Sequence, residues 1–557
     1  MRCSTRSRGI ILLGLLLLLV TSSQSQSLFQ DNRERSGIEF RLDNFASDNK
    51  YFIETMMGGC AFFDYDKDGF LDLFFVNGAA IRLENNQTFI DKSSPRFWNR
   101  LYRNLGNGHF EDVTQLTGLS GNGYGIGVAV GDYDNDGWPD LYVTNWGRNE
   151  LYRNMGNGTF EEITDEAGVA GGEMSSSATF FDYDRDGFLD LYVCRDVDWS
   201  FKNHKFCGFS SGRDYCDPKH FNGVPDLLFR NNQDGTFTDV SSAMGISLPS
   251  GKGLGVAIGD LDKDGWMDVY VANDGVPCFL FRNQKGKSFE EIGLFSATAL
   301  NSEGSTFAGM GVDIADYDND AWPDIFVTAL PLESFVLFRN NRDGTFLDVA
   351  AATGIRKASL RLSGWGTKFI DFNNDGWKDL FVANGHPVRF INTVLRTINY
   401  AQPLLMLKNE SGRFQDVSSE MGPAFSKRWA ARGTAFGDYD NDGDTDIVVA
   451  ILGNHPLLLE NLHANKNHWV GFKLIATKGA RDAIGATLKI HDSEGGQQLF
   501  IVTRTSSYLS SNDPRILVGL GNRQLSSVEI TWPSGHTQTV TKLGLNQYHQ
   551  IQEEENF

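Results

Sequence analysis

The chain has 557 residues and a formal net charge of −21 at pH 7. A chain of this length suggests more than one domain. Hydrophobic residues make up 41% of it, and its 60 Gly residues are typical of a globular protein with many turns. So acidic a chain is a poor partner for nucleic acids and for anionic membrane surfaces.

Residues 1–26 have the pattern of a signal peptide. Arg2, Arg6 and Arg8 precede an apolar run over Ile10–Val20, and Ser and Gln residues follow. This run is too short to span a bilayer, although an uncleaved anchor is the alternative. The pattern predicts cleavage near Ser22–Ser27 and a mature chain without a transmembrane segment. The protein would then be secreted and extracellular, or periplasmic or on the cell surface if it is bacterial.

One nine-residue motif recurs seven times in the rest of the chain. Its clearest copy is Asp132-Tyr-Asp134-Asn-Asp136-Gly137-Trp-Pro-Asp140, with acidic residues at positions 1, 3, 5 and 9 and Gly at position 6. Strand-like runs flank the copies, so we expect each motif to be a loop between two strands. Loops 1 to 7 begin at Asp64, Asp132, Asp182, Asp260, Asp316, Asp371 and Asp438.

This spacing predicts a calcium-binding loop. Ca²⁺ takes six to eight oxygen ligands, and alternate carboxylates on a tight turn point toward one centre. An EF-hand loop begins in the same way, but it ends with a Glu at position 12 and lies between helices. An ordinary Asx-rich turn is the alternative, and seven copies make it improbable. The predicted ligands are Asp64, Asp66, Asp68 and Asp72; Asp132, Asp134, Asp136 and Asp140; Asp182, Asp184, Asp186 and Asp190; Asp260, Asp262, Asp264 and Asp268; Asp316, Asp318, Asp320 and Asp324; Asp371, Asn373, Asp375 and Asp379; and Asp438, Asp440, Asp442 and Asp446.

Three loops depart from the motif. Loop 5 has Ala321 at position 6, where a left-handed backbone would cost about 1–2 kcal/mol, and loop 6 has the neutral Asn373 at position 3. We expect these two loops to bind Ca²⁺ more weakly than the others. Loop 7 has an additional Asp444 at position 7. Up to seven bound Ca²⁺ ions would reduce the formal charge from −21 to −7, so the acidity reflects metal sites rather than a disordered acidic tail.

The segments between the loops share one frame. After loop 2, strand-like runs at Leu141–Asn145 and Glu150–Asn154 lead to an Asn157-Gly158 turn and a further run from Phe160. Asn-Gly between alternating apolar residues is a strong hairpin signal. Each repeat therefore supplies about four strands, which predicts an all-β, seven-bladed β-propeller over residues 27–461. A linear β-roll would need shorter repeats, and a sandwich would be less periodic.

The seventh repeat lacks its last strand. In the other repeats this strand has the pattern of Phe110-Glu-Asp112, followed by Gly118. Phe29-Gln-Asp31, followed by Gly37, repeats this spacing at the start of the mature chain. We therefore expect residues 28–32 to complete the seventh blade and close the ring, which would leave no free sheet edge.

Two repeats carry insertions, at residues 195–226 and 385–405. We expect the first insertion to present Trp199 and Phe201 as anchors for a partner, on a broad acidic face that bears aromatic side chains. The alternative is that both insertions only cover one face of the propeller. Neither reading identifies the partner.

The six cysteines suggest one disulfide. Cys207 and Cys216 lie in one loop-like stretch and are the best candidates for a bond in an exported protein. Cys60, Cys194 and Cys278 lie in or beside strand-like runs and are expected to be buried thiols.

Residues 462–557 contain no copy of the motif. They have six strand-like runs and predict a separate small β-sandwich or barrel. The runs are His468–Leu474, Ala486–His491, Leu499–Thr503, Leu517–Leu520, Val528–Trp532 and Tyr548–Ile551.

These features resemble a known family. The stretches Gly58–Gly69, Leu151–Phe160 and Ala435–Gly443 are similar to FG-GAP/VCBS repeats, and Ser506–Ser510 and Trp532–Gly535 are similar to an ASPIC/UnbV domain. The combination resembles the cartilage acidic protein family. The resemblance implies a secreted calcium-binding propeller of adhesion or extracellular-matrix type, and it supplies no catalytic residues.

No nucleotide-binding, serine-hydrolase or zinc-protease motif occurs in the sequence. We therefore expect a non-catalytic protein whose partner is an extracellular protein or a glycan, and not a nucleic acid. The alternative is a polysaccharide hydrolase or lyase that uses His204 and His220 as acid and base.

Overall fold

The computed structural model describes residues 27–84, 87–209, 212–248, 250–462 and 467–554. The predicted signal peptide lies outside the described residues. The chain folds as the predicted all-β protein, a seven-bladed propeller followed by a smaller β domain.

Each blade is a four-stranded antiparallel sheet. The chain begins with β1 (Phe29–Asp31). Blade 1 then contains β2 (Cys60–Phe63), β3 (Asp72–Phe75), the separate hairpin β4 (Ala80–Glu84) and β5 (Gln87–Asp91), β6 (Arg100–Asn104) and β7 (Phe110–Asp112). Blade 2 contains β8 (Tyr124–Gly131), β9 (Asp140–Trp146), β10 (Glu150–Asn154) and β11 (Phe160–Glu162). Blade 3 contains β12 (Ser175–Phe181), β13 (Asp190–Arg195), the separate hairpin β14 (Cys207–Phe209) and β15 (Gly212–Asp214), β16 (Leu227–Asn231) and β17 (Phe237–Asp239).

The remaining blades follow the same plan. Blade 4 contains β18 (Gly253–Gly259), β19 (Asp268–Asn273), β20 (Phe279–Asn283) and β21 (Phe289–Glu291). Blade 5 contains β22 (Val312–Ala315), β23 (Asp324–Val327), β24 (Val336–Asn340) and β25 (Phe346–Asp348). Blade 6 contains β26 (Gly364–Ile370), β27 (Asp379–Asn384), β28 (Leu405–Glu410) and β29 (Arg413–Asp416), and blade 7 contains β30 (Ala431–Gly437), β31 (Asp446–Ile451) and β32 (Leu457–Asn461).

Helices are short and lie between strands. The α-helices are α1 (Arg33–Ser36), α2 (Thr114–Thr117), α3 (Thr164–Ala167), α4 (Ala350–Thr353), α5 (Ile355–Ser359) and α6 (Pro423–Ser426). The 3-10 helices are Phe52–Thr55, Pro95–Phe97, Pro218–His220, Ile391–Thr393 and Ser418–Glu420. Among the described residues, no helix has the length and hydropathy that a membrane crossing requires.

The first strand of each blade lies nearest the propeller axis. These inner strands contact one another in chain order, and β30 of blade 7 contacts β2 of blade 1. They approach so closely that a β-carbon on Gly59 would lie 2.7 Å from the Cα of Gly127. Glycine is therefore required there because any side chain would push two blades apart.

The N-terminal strand completes blade 7, where the spacing of the sequence predicts it. Strand β1 pairs antiparallel with β32, and Phe29 lies opposite Asn461. Phe29 is fully buried. Its ring lies 6.4 Å from that of Phe372 in blade 6 and 5.7 Å from that of Phe425. The two ends of the propeller segment are therefore joined within one sheet.

The C-terminal domain is a sandwich of a three-stranded and a four-stranded sheet. Its strands are β33 (His468–Ile475), β34 (Thr487–Asp492), β35 (Gln497–Ile501), β36 (Ile516–Gly521), β37 (Leu525–Thr531), β38 (Thr537–Thr541) and β39 (Tyr548–Gln552). Phe472 of one sheet and Leu488 and Ile530 of the other share one core. The sequence predicts six of these strands; β38 is missed because Val540 is its only hydrophobic residue.

The segment Arg504–Asp513 of the C-terminal domain, here called the plug, lies on the propeller axis. Ser507 pairs with Val312 of blade 5, and Ser511 pairs with Ala61 of blade 1. The carbonyl of Leu509 accepts the N–H of Val128 of blade 2 at 2.9 Å. Only the axis lets one short segment touch the inner strands of well-separated blades.

Tyr508 is the most deeply buried large residue of the plug. It is fully buried, its hydroxyl donates to the carbonyl of Met56 at 2.9 Å, and its ring lies 4.8 Å from that of Trp365. The plug therefore fills the channel with a well-packed aromatic side chain.

At the opposite end of the blades, residues 38–58, 195–226 and 385–405 cover the channel and are here called the cap. The expectation that Trp199 is an exposed anchor is wrong, because its side chain is only 2% exposed. Its ring packs against Tyr51, Trp146 and Phe201 at centroid distances of 5.0–6.1 Å. Aromatic residues of the first insertion thus form part of a hydrophobic core within the cap.

Cys207 and Cys216 are joined by a disulfide within the cap. Cys60, Cys194 and Cys278 are buried thiols. The structure therefore places all five of these cysteines as the sequence predicts.

Candidate metal centres

The seven Asp loops have one common turn. In every loop the N–H of position 6 donates to the carboxylate of position 1 at 2.8–3.1 Å. The N–H of position 7 donates to the carboxylate of position 5 at 2.8–3.0 Å. These bonds hold the side chains of positions 1 and 5 over the same face of the turn.

Carboxylate oxygens converge in each of the first five loops. Three carboxylates of each loop can bring one oxygen apiece within 4.8 Å of one another. The Oδ1 atoms of Asp64, Asp132 and Asp260 are buried and have no hydrogen-bond partner among the described residues. Unpartnered buried carboxylate oxygens are costly unless a cation binds them, and clustered oxygens are the ligands that hard divalent cations take. Several loops could therefore bind metal ions.

Burial and mutual repulsion make these carboxylates hard to ionise without a cation. Burial, together with the charges of Asp482 and Asp134, raises the pKa of Asp132 to about 8. Burial likewise raises the pKa of Asp182 to about 7. A bound cation would reverse this effect by favouring the ionised form.

The carboxylate at position 9 also connects strands. In every blade it accepts the N–H of an Asn at or next to the end of the third strand of the sheet, at 2.7–2.8 Å. In loop 2, for example, Asp140 accepts from Asn154 at 2.8 Å and from Tyr133 at 3.2 Å. Because these bonds occupy part of its lone pairs, position 9 anchors the loop as well as facing the candidate site.

These same Asn residues connect neighbouring blades, a role that the sequence analysis missed. Each side-chain amide donates to the position 2 carbonyl of the preceding loop at 2.8–2.9 Å, and Asn104 of blade 1 donates to Tyr439 of blade 7. The Arg-Asn pair that recurs in blades 1 to 5 was the available signal; blades 6 and 7 keep the Asn after Lys408 and Glu460. The seven Asn residues are Asn104, Asn154, Asn231, Asn283, Asn340, Asn409 and Asn461.

Residues at position 4 link each loop to the next. Lys67 of loop 1 lies 4.0 Å from the ring centroid of Trp138 in loop 2, which is a cation–π contact. Where position 4 is Asn, as at Asn135, its amide donates to the Gly carbonyl of the next loop, here Gly187 at 2.8 Å. Asn441 of loop 7 donates in the same way to Gly69 of loop 1 at 3.1 Å. The loops therefore form a continuous ring.

The C-terminal domain contacts this ring directly. The Tyr548 hydroxyl donates to the Asp438 carboxylate of loop 7 at 2.7 Å, and Arg515 donates to the Asp438 carbonyl at 2.6 Å. Arg523 donates to the carbonyl of Asp375 in loop 6 at 3.0 Å. A candidate metal ligand thus takes part in holding the two domains together.

The three unusual loops keep the common turn. Ala321 has φ 67°, so loop 5 holds a non-glycine residue in the left-handed conformation. The Asn373 side-chain oxygen accepts the N–H of Asp375 at 3.0 Å, as position 3 does elsewhere. Asp444 accepts from the amide of Asn374 at 2.8 Å, so this extra carboxylate connects loops 6 and 7.

His204 and His220, the candidate acid and base of the hydrolase alternative, both lie in the cap. His204 Nδ1 accepts from the Trp199 indole at 3.2 Å, and its Nε2 lies 3.0 Å from the carbonyl of Asn49. His220 is exposed at the end of a 3-10 turn, and its carbonyl accepts from Lys205 at 2.5 Å. Both ring nitrogens of His204 are therefore engaged in holding the cap.

Comparison with known families supports the repeat structure. The FG-GAP-like repeat family matches residues 64–143, 132–193, 221–271, 261–327, 316–382 and 371–449. The chain belongs to the FG-GAP-like repeat family. The ASPIC and UnbV family matches residues 476–556 of this FG-GAP propeller protein, within its C-terminal domain.

Curated relatives share part of the chain. Cartilage acidic protein 1 of Xenopus tropicalis is 26% identical over 308 residues, which are 54% of this chain and 44% of the relative. The Homo sapiens protein of that name is 25% identical over 304 residues, 53% of this chain and 43% of the relative. Integrin alpha-6 of Gallus gallus is 26% identical over 154 residues, 25% of this chain and 14% of the relative. These matches span less than half the length of each relative.

Solved structures give a more distant likeness. An Agrocybe aegerita lectin that recognises N-acetylglucosamine has a TM-score of 0.38 and 16% identity, and the match covers 72% of this chain and 87% of the lectin. A structure of BBS1N in complex with ARL6 has a TM-score of 0.41 and 11% identity, with coverage of 79% and 99%.

Proposed function

We propose that this chain is a secreted calcium-binding propeller of extracellular-matrix type that binds a partner and has no catalytic activity. The observation that carries the proposal is the ring of Asp loops, in which converging carboxylates and unpartnered buried oxygens recur from blade to blade. The oxygen-only ligand sets favour Ca²⁺ over zinc or copper. The disulfide and the similarity to cartilage acidic protein 1 support an extracellular location.

In this proposal the ions act on structure. Positions 1, 3, 5 and 9 would hold each ion, while the Asn residues and position 4 join the loops into a ring. Calcium would neutralise the crowded carboxylates and so keep adjacent blades and the C-terminal domain together. Both ring nitrogens of His204 have hydrogen-bond partners within the protein, Trp199 and Asn49, which gives no support to the hydrolase alternative.

Chelation of calcium should therefore lower the melting temperature strongly. With a Kd near 10⁻⁴ M and free Ca²⁺ near 10⁻³ M, each site would contribute about 1.4 kcal/mol of stability. Seven such sites would contribute roughly 10 kcal/mol, which is comparable to the stability of a typical domain. Thermal unfolding should be measured by calorimetry in EDTA and again after Ca²⁺ is restored.

Matched variants localise the effect. Asp132→Asn with Asp134→Asn should remove one Ca²⁺ per chain, as measured by atomic emission after gel filtration. Asp234→Asn, in a hairpin turn where its carboxylate bonds only Thr236 among the described residues, should leave the calcium content unchanged. An identical melting curve with and without EDTA would refute the proposed role of calcium.

A further inference from the structure

The two insertions of the cap meet above the channel. The first insertion connects two strands of blade 3 and the second connects two strands of blade 6, and these blades are not neighbours in the ring. The Asp214 carboxylate of the first insertion accepts the N–H groups of Arg389 and Phe390 of the second, at 3.3 and 2.9 Å. This contact joins the two insertions into one surface at the end of the propeller away from the C-terminal domain.

Large apolar side chains are exposed on this surface. Phe206 is 76% exposed, Phe209 39%, Phe390 37% and Val394 53%. The guanidinium of Arg213 lies 3.7 Å from the ring centroid of Phe206. A β-carbon on Gly212, which pairs with Phe209, would lie 3.8 Å from the ring of Phe390. The aromatic residues of the two insertions are therefore adjacent.

The same surface is basic, although the whole chain is acidic. Lys202, Lys205, Arg389 and Arg396 are exposed. The second insertion contains two Arg residues and neither Asp nor Glu. On the described residues of the two insertions, exposed basic side chains therefore outnumber exposed acidic ones, so this surface is not the acidic face that the sequence predicts.

Most acidic residues of the first insertion are not exposed on this surface. Asp196, Asp214 and Asp226 are buried. At the surface, Asp198 bonds Asn222 and Asp217 pairs with Lys219. Asp48, on the adjoining segment of the cap, is a further exposed carboxylate.

We propose that this surface, formed by Lys202, Phe206, Phe209, Arg213, Arg389, Phe390 and Val394, binds an acidic segment of a partner protein. Aromatic residues and Arg are enriched at the centres of protein interfaces, and complementary charge speeds association and selects partners. The exposed Phe and Val side chains suit apolar side chains of a partner, and the Lys and Arg side chains beside them suit its carboxylates. This inference rests on the proposed binding function and specifies the class of partner.

A model peptide tests this assignment. A fluorescent 12-residue peptide with three Glu-Phe-Glu-Gly repeats should bind the full chain in fluorescence anisotropy, and its affinity should fall as salt is raised. A peptide with Lys in place of Glu should not bind. Phe206→Ala, and Lys202→Glu combined with Arg389→Glu, should each weaken binding of the acidic peptide at least tenfold.

The control is a charge reversal of equal size elsewhere, Lys287→Glu with Lys357→Glu, on exposed positions of blades 4 and 5. It should change the affinity less than twofold. An equal loss in this control, or no preference of the wild-type chain for the acidic peptide, would overturn the inference. Heparin binding that needs the same residues, without peptide binding, would assign the surface to a polysaccharide and equally overturn it.

The result is separable from the calcium proposal. Cap variants that fold should keep the calcium-dependent melting of the wild-type protein, which also serves as their folding control. Loss of peptide binding with retained calcium dependence supports the cap surface. If the peptide binds and the melting temperature is the same with and without EDTA, the result would support the cap surface and refute the calcium role.

Discussion

At the scale of single residues, the Asp loops depend on two left-handed backbone positions. Position 4 is left-handed in every loop although its residue is never Gly, and position 6 is Gly in all loops but the fifth. Asn tolerates this conformation better than most residues, which suits its four occurrences at position 4. Position 6 turns the backbone so that its N–H reaches the carboxylate of position 1.

Replacement of Gly69 by Ala should isolate the cost of this turn. Gly69 has φ 94°, and no atom lies within 4 Å of the place of a β-carbon. Gly69→Ala should therefore lower the free energy of unfolding by about 1–2 kcal/mol through backbone strain alone. Chemical denaturation with Ca²⁺ present measures this change. Ala321→Gly in loop 5 should not produce a comparable loss, and a neutral Gly69→Ala would show that position 6 of loop 1 does not require glycine.

Asp226 should make stability depend on pH. Its buried carboxylate accepts from the Tyr192 hydroxyl at 2.9 Å and from the Arg195 N–H at 2.8 Å. Burial raises the pKa of Asp226 to about 6, although these two bonds lower it. The folded state thus holds the proton more tightly than the unfolded chain, so the stabilisation present below about pH 4 is lost as the pH rises through about 6.

Comparison with Asp226→Asn removes the background of other titrating groups. From pH 4 to 7 the wild-type protein should lose about 2–3 kcal/mol relative to this variant. Urea unfolding at both pH values, in Ca²⁺ buffer, gives the difference. A difference that is constant with pH would contradict the raised pKa.

At the scale of elements, one Asn per blade ties three features together. The backbone of Asn154 donates to Asp140, and its side chain bridges the carbonyls of Pro139 in its own blade and Tyr65 in the preceding one. The bonds are buried, so their loss would leave carbonyls without partners. The blades are therefore joined by polar contacts at the metal loops as well as by apolar packing.

Asn154→Ala should lower the free energy of unfolding by about 1–3 kcal/mol and weaken calcium binding by the neighbouring loops. Calorimetry and calcium titration give the two quantities. Asn107→Ala, in an exposed turn where the Asn side chain accepts from His109, is the control and should change either quantity little. Equal effects of the two substitutions would contradict a special role for Asn154.

The sequence predicts the elements better than the contacts between distant parts of the chain. The Asp spacing and the hairpin turns predict the blades because both signals are local. Phe29 could be assigned to blade 7 because its strand repeats a pattern found in other blades. Burial of Trp199 was missed because a residue in an irregular loop has no periodicity that reveals its environment. The sequence does not indicate that Tyr508 lies on the propeller axis, because the residues it contacts there, Met56 and Trp365, are far away along the chain.

At the scale of the whole molecule, the plug couples the two domains. Tyr508 is surrounded by propeller residues, and the Asp loops hold the sandwich from which the plug extends. Unfolding of either domain would therefore expose buried surface of the other. The two domains should melt in a single transition.

Tyr508→Ala should lower the free energy of unfolding by about 3–5 kcal/mol because it leaves a large cavity on the axis. It should also split the calorimetric transition in two. Tyr508→Phe keeps the ring and loses only the bond to Met56, so it should cost about 1 kcal/mol and keep a single transition. Two transitions in the wild-type protein would contradict the coupling.

The pairing of β1 with β32 fixes the order in which the molecule can be assembled. During synthesis Phe29 emerges early, whereas Asn461, its partner, is among the last propeller residues to be made. Until β32 has been made, β1 therefore has no partner in blade 7 and the ring stays open. The plug follows all seven blades in the sequence, so the segment that the ring encloses is made after the ring strands themselves. Folding of this protein must therefore include closure of the ring around the plug or insertion of the plug into the ring, and a chain stalled before β32 would expose an open sheet edge to aggregation.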